Sequence, residues 1–181
     1  IYKGRTLYSF ADNHDVDRLA SKLNNKAHMF PEYTLLYTLP GIPSIYYGSE
    51  WGIEGRKEGG NDDPLRPALN LAEMEEKYKD CQLTEHIRML GRLKKELSPL
   101  SEGKYRELLL TNRQYAFARI QDDKAVIVAV NNDENPAHVS IPVPVGGNAV
   151  NAVTGESVNV ENGRINAELS PAGSLIVSVN I

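Results

Sequence analysis

Along the first hundred residues, short apolar runs alternate with longer polar ones. Residues 6–11, TLYSFA, have the length and aromatic content of a buried strand, and the polar stretch DNHDVDR follows at once. Residues 31–39, PEYTLLYTL, predict a helix. Pro31 suits a first turn, where its missing N–H is no loss. Glu32 suits the positive end of the helix dipole. Leu35, Leu36 and Leu39 supply an apolar face, and Leu39-Pro40-Gly41 ends the helix. Residues 44–47, SIYY, predict a second buried strand closed by Gly48. Residues 49–83 are polar and glycine-rich, and a loop of that length in a compact domain usually carries function. An amphipathic helix is expected over 84–97, with Ile87, Leu90, Leu93 and Leu97 on one face and Ser98-Pro99 as its stop.

The texture changes after Gly103. RELLLTN, QYAFARI, KAVIVAVN, AHVSIPV, NAVNAVT, SVNV, RINAEL and SLIVSVN follow one another, separated by Asp-Asp, Gly-Gly, Thr-Gly and Asn-Gly turn signals. Short strands so spaced predict a β-sandwich or barrel. The chain thus divides into an α/β part, residues 1–100, and an all-β part, residues 101–181. Two consecutive βα units are the repeating element of a parallel barrel or a doubly wound sheet. In such folds chemistry gathers at the C-terminal ends of the strands. FADNHDVDR and YYGSEWG both stand at such ends.

Composition narrows the partners. With 41% hydrophobic and 24% charged residues, the 181-residue chain is ordinary globular material. Its net charge of −4 is scattered, without a Lys/Arg stripe to argue for nucleic acid or an anionic membrane. No apolar run is long enough to span a bilayer. A single cysteine, Cys81, excludes an internal disulfide framework. None of the four histidines has the H-x-x-x-H spacing of a zinc-binding helix, so no metal site is expected. Ile1 opens the chain with no charged-then-apolar leader, so compartment is not read from it and the chain is expected to be a piece of something longer.

FADNHDVDR followed by LPGIPSIYYGSEWG and GGNDDPLRPAL resembles the seventh and eighth βα units of the alpha-amylase family of glycoside hydrolases. The resemblance extends over nearly the whole chain. It implies a partial (β/α)8 TIM barrel, strands 7–8 with their helices, followed by a Greek-key β-sandwich. It implies that Asp15 is a catalytic transition-state stabiliser, binding two neighbouring sugar hydroxyls. His14 would donate to a hydroxyl in the same subsite, with Asn13 and Arg18 as supporting residues. Arg18 would hold either Asp15 or Asp12. Tyr46, Tyr47, Glu50 and Trp51 would lie near the cleft wall. The implied partner is an α-glucan oligosaccharide, with no nucleic acid and no membrane. No cofactor is implied for this chain, and calcium is left open for a longer parent, because no residues here form an obvious calcium cage.

The plainer readings stand beside these. An Asn/Asp loop also caps the helix after it. Tyr46 and Tyr47, on a strand, would face opposite ways, so at most one reaches a ligand. Trp51 fits a stacking platform or packing for its own loop, and Glu50 fits an anchor for that loop. A retaining glycosidase needs two carboxyl groups about 5–5.5 Å apart. In this family they come from strands upstream of the Asn-His-Asp motif, where this chain has almost nothing. The chain is therefore expected to be an inactive C-terminal fragment of a retaining α-glucan-active glycosidase, lacking the N-terminal part of its barrel. Its torn barrel edge is expected to self-associate or rearrange. The alternative is a non-catalytic amylase-like scaffold that binds sugars or a partner.

Overall fold

The computed structural model describes residues 5–180. The α/β part opens with β1 (Tyr8–Phe10), a short α1 (Leu19–Lys22), a 3-10 turn at Lys26–His28, α2 (Met29–Thr38) and β2 (Ile42–Ser44). Two further 3-10 turns, Ser49–Trp51 and Asp63–Leu65, lead to α3 (Leu71–Lys77), α4 (Gln82–Glu96) and α5 (Ser98–Glu102). β1 and β2 pair in parallel, Tyr8 opposite Ile42 and Phe10 opposite Ser44, as two strands joined by a helical crossover must.

Several expectations shift here. The second strand ends at Ser44; Tyr46 already belongs to a turn, because its carbonyl accepts the Ser49 N–H at 3.0 Å. Neither strand is buried. Among the described residues β1 and β2 pair only with each other, so Tyr8 and Ile42 remain 65% and 53% exposed. The parallel pairing is retained rather than rearranged. The long loop is also partly built. Asn70 caps α3 by accepting the Ala72 N–H, and its amide donates to Glu73 at 3.2 Å.

The helices pack a layer against the all-β part. α4 buries Leu83, Ile87, Leu90 and Leu93 on one face; it starts two residues earlier than expected, and Leu97 becomes its C-cap. Pro99 stands in the first turn of the short α5, so it begins a helix as well as following one. In α2 the buried positions are Met29, Pro31, Tyr33, Thr34 and Thr38, while Leu35, Leu36 and Leu39 are half-buried. The threonines tolerate burial because each hydroxyl bonds the carbonyl four residues back, Phe30 and Thr34 respectively.

The all-β part contains β3 (Lys104–Leu110), β4 (Gln114–Gln121), β5 (Lys124–Asn131), β6 (Ala137–Pro142), β7 (Asn148–Asn151), β8 (Arg164–Leu169) and β9 (Ser174–Asn180). One sheet has the order β3-β4-β5-β9-β7, and β6-β8 form the second. The chain crosses between sheets after β5, β6, β7 and β8, which makes the sandwich. The SVNV segment is not a strand; only Ser157 forms an isolated bridge, to Val150. Between the sheets lie Ala116, Ala118, Ile127, Val177 and Val179, against Val139, Ile141, Ile165 and Leu169. The outer face of the larger sheet, Phe117, Val126, Val128 and Ile176, packs instead on Tyr33, Leu90 and Leu93 of the helices. This is why β5 is apolar without alternation: both of its faces are covered. No helix among the described residues is long and apolar enough to cross a membrane.

Candidate functional site

The loop that leaves β1 is held from below and presents its side chains above. Asp12 is buried. Its carboxylate accepts the Leu19 N–H at 2.8 Å, at the start of α1, and the Ser49 hydroxyl at 2.9 Å. Arg18 donates to that same hydroxyl at 3.1 Å, so the loop after β1 and the loop after β2 share one buried polar chain. Tyr33, whose hydroxyl reaches the Ser49 carbonyl at 3.4 Å, has its phenol pushed well above the ordinary range, first by burial and then by the Asp12 charge.

Above this floor Asn13 closes a turn. Its side-chain oxygen accepts the N–H of Asp15 at 2.8 Å and of Val16 at 3.2 Å. His14 and Asp15 consequently project outward, with side chains 56% and 58% exposed. His14 Nε2 lies 3.2 Å from Asp15 Oδ2. The other Asp15 oxygen is 3.2 Å from Arg66 Nη2, and Arg66 Nε donates to the His14 carbonyl, also at 3.2 Å. Arg66 Nη2 is shared with Asp62 at 3.3 Å, and Asp62 is paired with Lys57 at 2.8 Å. The Lys57 hydrogen bond holds the Asp62 carboxyl below its usual range, and in return Asp62 raises the Lys57 ammonium.

Arg18 departs from its expected place. It holds neither Asp15 nor Asp12 directly and is wholly buried. Its guanidinium donates to the carbonyls of Tyr47 at 2.6 Å and Leu65 at 2.7 Å, and lies 4.2 Å from the Tyr46 ring centre and 5.1 Å from that of Tyr47. A buried guanidinium must satisfy its donors locally, and these carbonyls and ring faces do so for all but Nε. The position next to Asp15 is occupied by Arg66 instead. Sequence reasoning missed Arg66, although the Asp-Pro-Leu-Arg run, an acidic 3-10 turn followed by a cation, lay within a segment already singled out.

The tyrosines stand beside the motif. Tyr46 is 6.4 Å from the His14 ring and packs edge-on against Tyr47 at 4.7 Å; Tyr47 is exposed and its hydroxyl donates to the Pro67 carbonyl at 2.9 Å. Burial, then the neighbouring Tyr47, raises the Tyr46 phenol. Glu50 and Trp51 are not brought to His14 and Asp15. They line a separate cavity of about 500 Å³ with Leu71, Tyr78, Thr84 and Arg88. Trp51 stacks on Tyr78, rings 5.9 Å apart and 13° from parallel, and the Glu50 carbonyl accepts the Thr84 hydroxyl at 2.9 Å. The Glu50 carbonyl thus ties the loop to α4, and Trp51 packs at the C-terminal end of α3. Among the described residues no group of three or more His, Cys, Asp or Glu is placed to hold a metal ion.

Chemically, the arrangement is a carboxylate held by an arginine on an open rim, next to an imidazole, at the C-terminal end of two parallel strands. Residues 3–100 match the family model for the alpha amylase catalytic domain, and residues 105–178 match that for the neopullulanase-like C-terminal domain. The chain is 31% identical to neopullulanase 2 of Thermoactinomyces vulgaris over 94% of its own length and 29% of that protein's. It is 26% identical to the cyclomaltodextrinase of Geobacillus thermopakistaniensis over 95% of its length and 29% of that protein's. The alpha-amylase of Geobacillus thermoleovorans, solved with acarbose, shares its fold with a TM-score of 0.81 at 22% identity, over 97% of this chain and 39% of that one. The chain thus spans under a third of the length of these curated relatives. Since the catalytic-domain match covers more than half of the residues and carries the parallel strands with their His14–Asp15 loop, the chain belongs to the alpha-amylase family.

Proposed function

We propose that residues 1–100 are the C-terminal part of the catalytic barrel of a retaining α-glucan hydrolase of the maltodextrin-degrading type, and residues 101–181 its C-terminal sandwich. The observation that carries this reading is the His14–Asp15 pair, 3.2 Å apart and open to solvent at the end of β1. Glycoside cleavage passes through an oxocarbenium-like transition state with a flattened ring. Only contacts that strengthen as the ring flattens lower the barrier. Asp15, accepting from two adjacent hydroxyls, and His14, donating to another, are of that kind. The ligand is an α-glucan oligosaccharide.

The bond-breaking carboxyl pair belongs to other strands of the barrel. Four of the carboxylates around the motif already have structural partners: Asp12 is bound to Leu19 and Ser49, Asp17 to the Lys57 N–H at 2.7 Å, Glu54 to Lys26, and Asp62 to Lys57. This chain by itself is expected to leave maltooligosaccharides intact. The test is hydrolysis of maltooligosaccharides by a complete barrel carrying these residues. Asp15→Asn is expected to lower kcat about 10²-fold or more, the scale of losing one group that stabilises transition-state charge. Full activity in that variant would overturn the reading and favour a non-catalytic scaffold.

A further inference from the structure

We propose that Arg66 is a positioning residue for the His14–Asp15 pair, the fixed mount that aims the Asp15 carboxylate before any ligand arrives. The functional meaning rests on the reading above; the geometry does not. A guanidinium is a planar fork that stays charged at every working pH. Here the fork spans two consecutive residues of one loop, Nε on the His14 carbonyl and Nη2 on the Asp15 carboxylate, both at 3.2 Å. Holding a backbone oxygen and a side-chain oxygen with one rigid group fixes the angle between them. Arg66 donates to Oδ1 of Asp15 and His14 Nε2 lies 3.2 Å from Oδ2, so the carboxylate is flanked on both sides while each oxygen keeps a free lone pair for a hydroxyl.

The mount is itself anchored. Arg66 follows the Asp63–Leu65 turn, and its own N–H donates to the Asp63 carbonyl at 2.9 Å. Leu65, the residue before it, is fully buried and its carbonyl takes the buried Arg18 guanidinium at 2.7 Å. At Gly55 a Cβ would fall 2.5 Å from the Pro64 carbonyl oxygen, so the two loops approach as closely as glycine allows. Asp62, tethered to Lys57, shares Nη2 of Arg66 with Asp15. The role is one of geometry rather than of stability. Arg66 is 46% exposed and Asp15 58%, and ion pairs so exposed contribute little to folding. An unrestrained carboxylate at that exposure would sample several rotamers, and misplacement by about 1 Å costs roughly 10²-fold in rate.

The test reads the Asp15 rotamer in this chain directly. Three-bond N–Cγ and C′–Cγ couplings of Asp15 are measured by NMR in the native chain, in Arg66→Gln and in Arg66→Lys. The native chain is expected to give single-rotamer values. Arg66→Gln is expected to give averaged ones, and Arg66→Lys an intermediate result, because an ammonium pairs with Asp15 but does not span to the His14 carbonyl. The urea midpoint is expected to be the same in all three. Unchanged Asp15 couplings in Arg66→Gln would overturn the proposal, and so would a large loss of the urea midpoint, which would make Arg66 a structural residue. In a complete barrel, Arg66→Gln is expected to lower kcat about 10²-fold with little change in KM. A barrel whose Asp15 signals ignore maltotriose would count against the glucan reading, while the couplings would still decide the role of Arg66.

Discussion

The Arg119 guanidinium, rooted in the sandwich, donates to the carbonyl of Thr38 at 2.9 Å, capping the C-terminal end of α2. The same side chain reaches the carbonyls of Leu100 at 2.9 Å and Gly103 at 2.9 and 3.1 Å. Lys94 of α4 also donates to the Leu100 carbonyl, at 3.2 Å. A cation at a helix C-terminus satisfies orphan carbonyls and suits the dipole. Arg119 is therefore the rivet between the two halves, and it is buried. Arg119→Met keeps the bulk but strands the buried Thr38 and Gly103 carbonyls, while Leu100 keeps Lys94. It is expected to lower unfolding free energy by about 2–4 kcal/mol, two unmet acceptors at 1–3 kcal/mol each with partial relaxation. Urea denaturation measures this directly.

Gly55 marks the closest approach beneath the site. Gly55→Ala would set a methyl 2.5 Å from the Pro64 oxygen and 3.1 Å from Arg18 Cγ. Backbone cannot yield as a flexible side chain can. A loss of about 1–3 kcal/mol is expected, as for overpacking. Hydrogen exchange should quicken at the Arg18 amide, which bonds the Gly55 carbonyl at 2.9 Å.

His86 makes stability depend on pH. Its Nε2 lies 3.1 Å from the Phe30 carbonyl and 3.0 Å from the Thr34 hydroxyl, its ring packs edge-on to Phe30, and Thr34 touches Ser174 of the sandwich. Burial lowers its pKa below the usual 6.5, outweighing the Phe30 hydrogen bond. The unfolded chain then binds more protons than the folded one as pH falls through 6.5. Stability should be constant above that value and fall below it. His86→Gln should flatten the dependence of the urea midpoint between about pH 5 and 7.5; an equally steep fall in the variant would place the effect elsewhere.

Leu7, Tyr8, Phe10 and Ile42 are exposed on the β1–β2 pair. Strand edges with apolar side chains seek partners. The chain on its own is expected to sediment as a self-associated species. Replacing Tyr8 and Ile42 with lysine should shift it toward monomer; a native chain that sediments as a strict monomer would refute the expectation.

What the sequence disclosed was local. The α4 face, the β-rich half and the outward Asn13-His14-Asp15 loop follow from spacing and turn chemistry, which act over a few residues. What it concealed was long-range. Ser9 and Pro43 become strand neighbours only because a whole helix intervenes, so the frame of β2 was misread by two residues. Arg18 reads as a holder of Asp15 or Asp12 because nothing near it in sequence shows that Tyr47 and Leu65 close over it. Arg66 meets Asp15 across 51 positions, a distance at which a loop's charge pattern says nothing about its partner.

β5 has further implications for how such proteins can be recombined. Val126 and Val128 meet the helices, while Ile127 and Ala129 meet the second sheet. The sandwich is thus a shared wall, not a detachable appendage. A chimera exchanging it between relatives would have to match two surfaces of opposite parity along one strand, and a deletion of a single residue in β5 would turn both inside out.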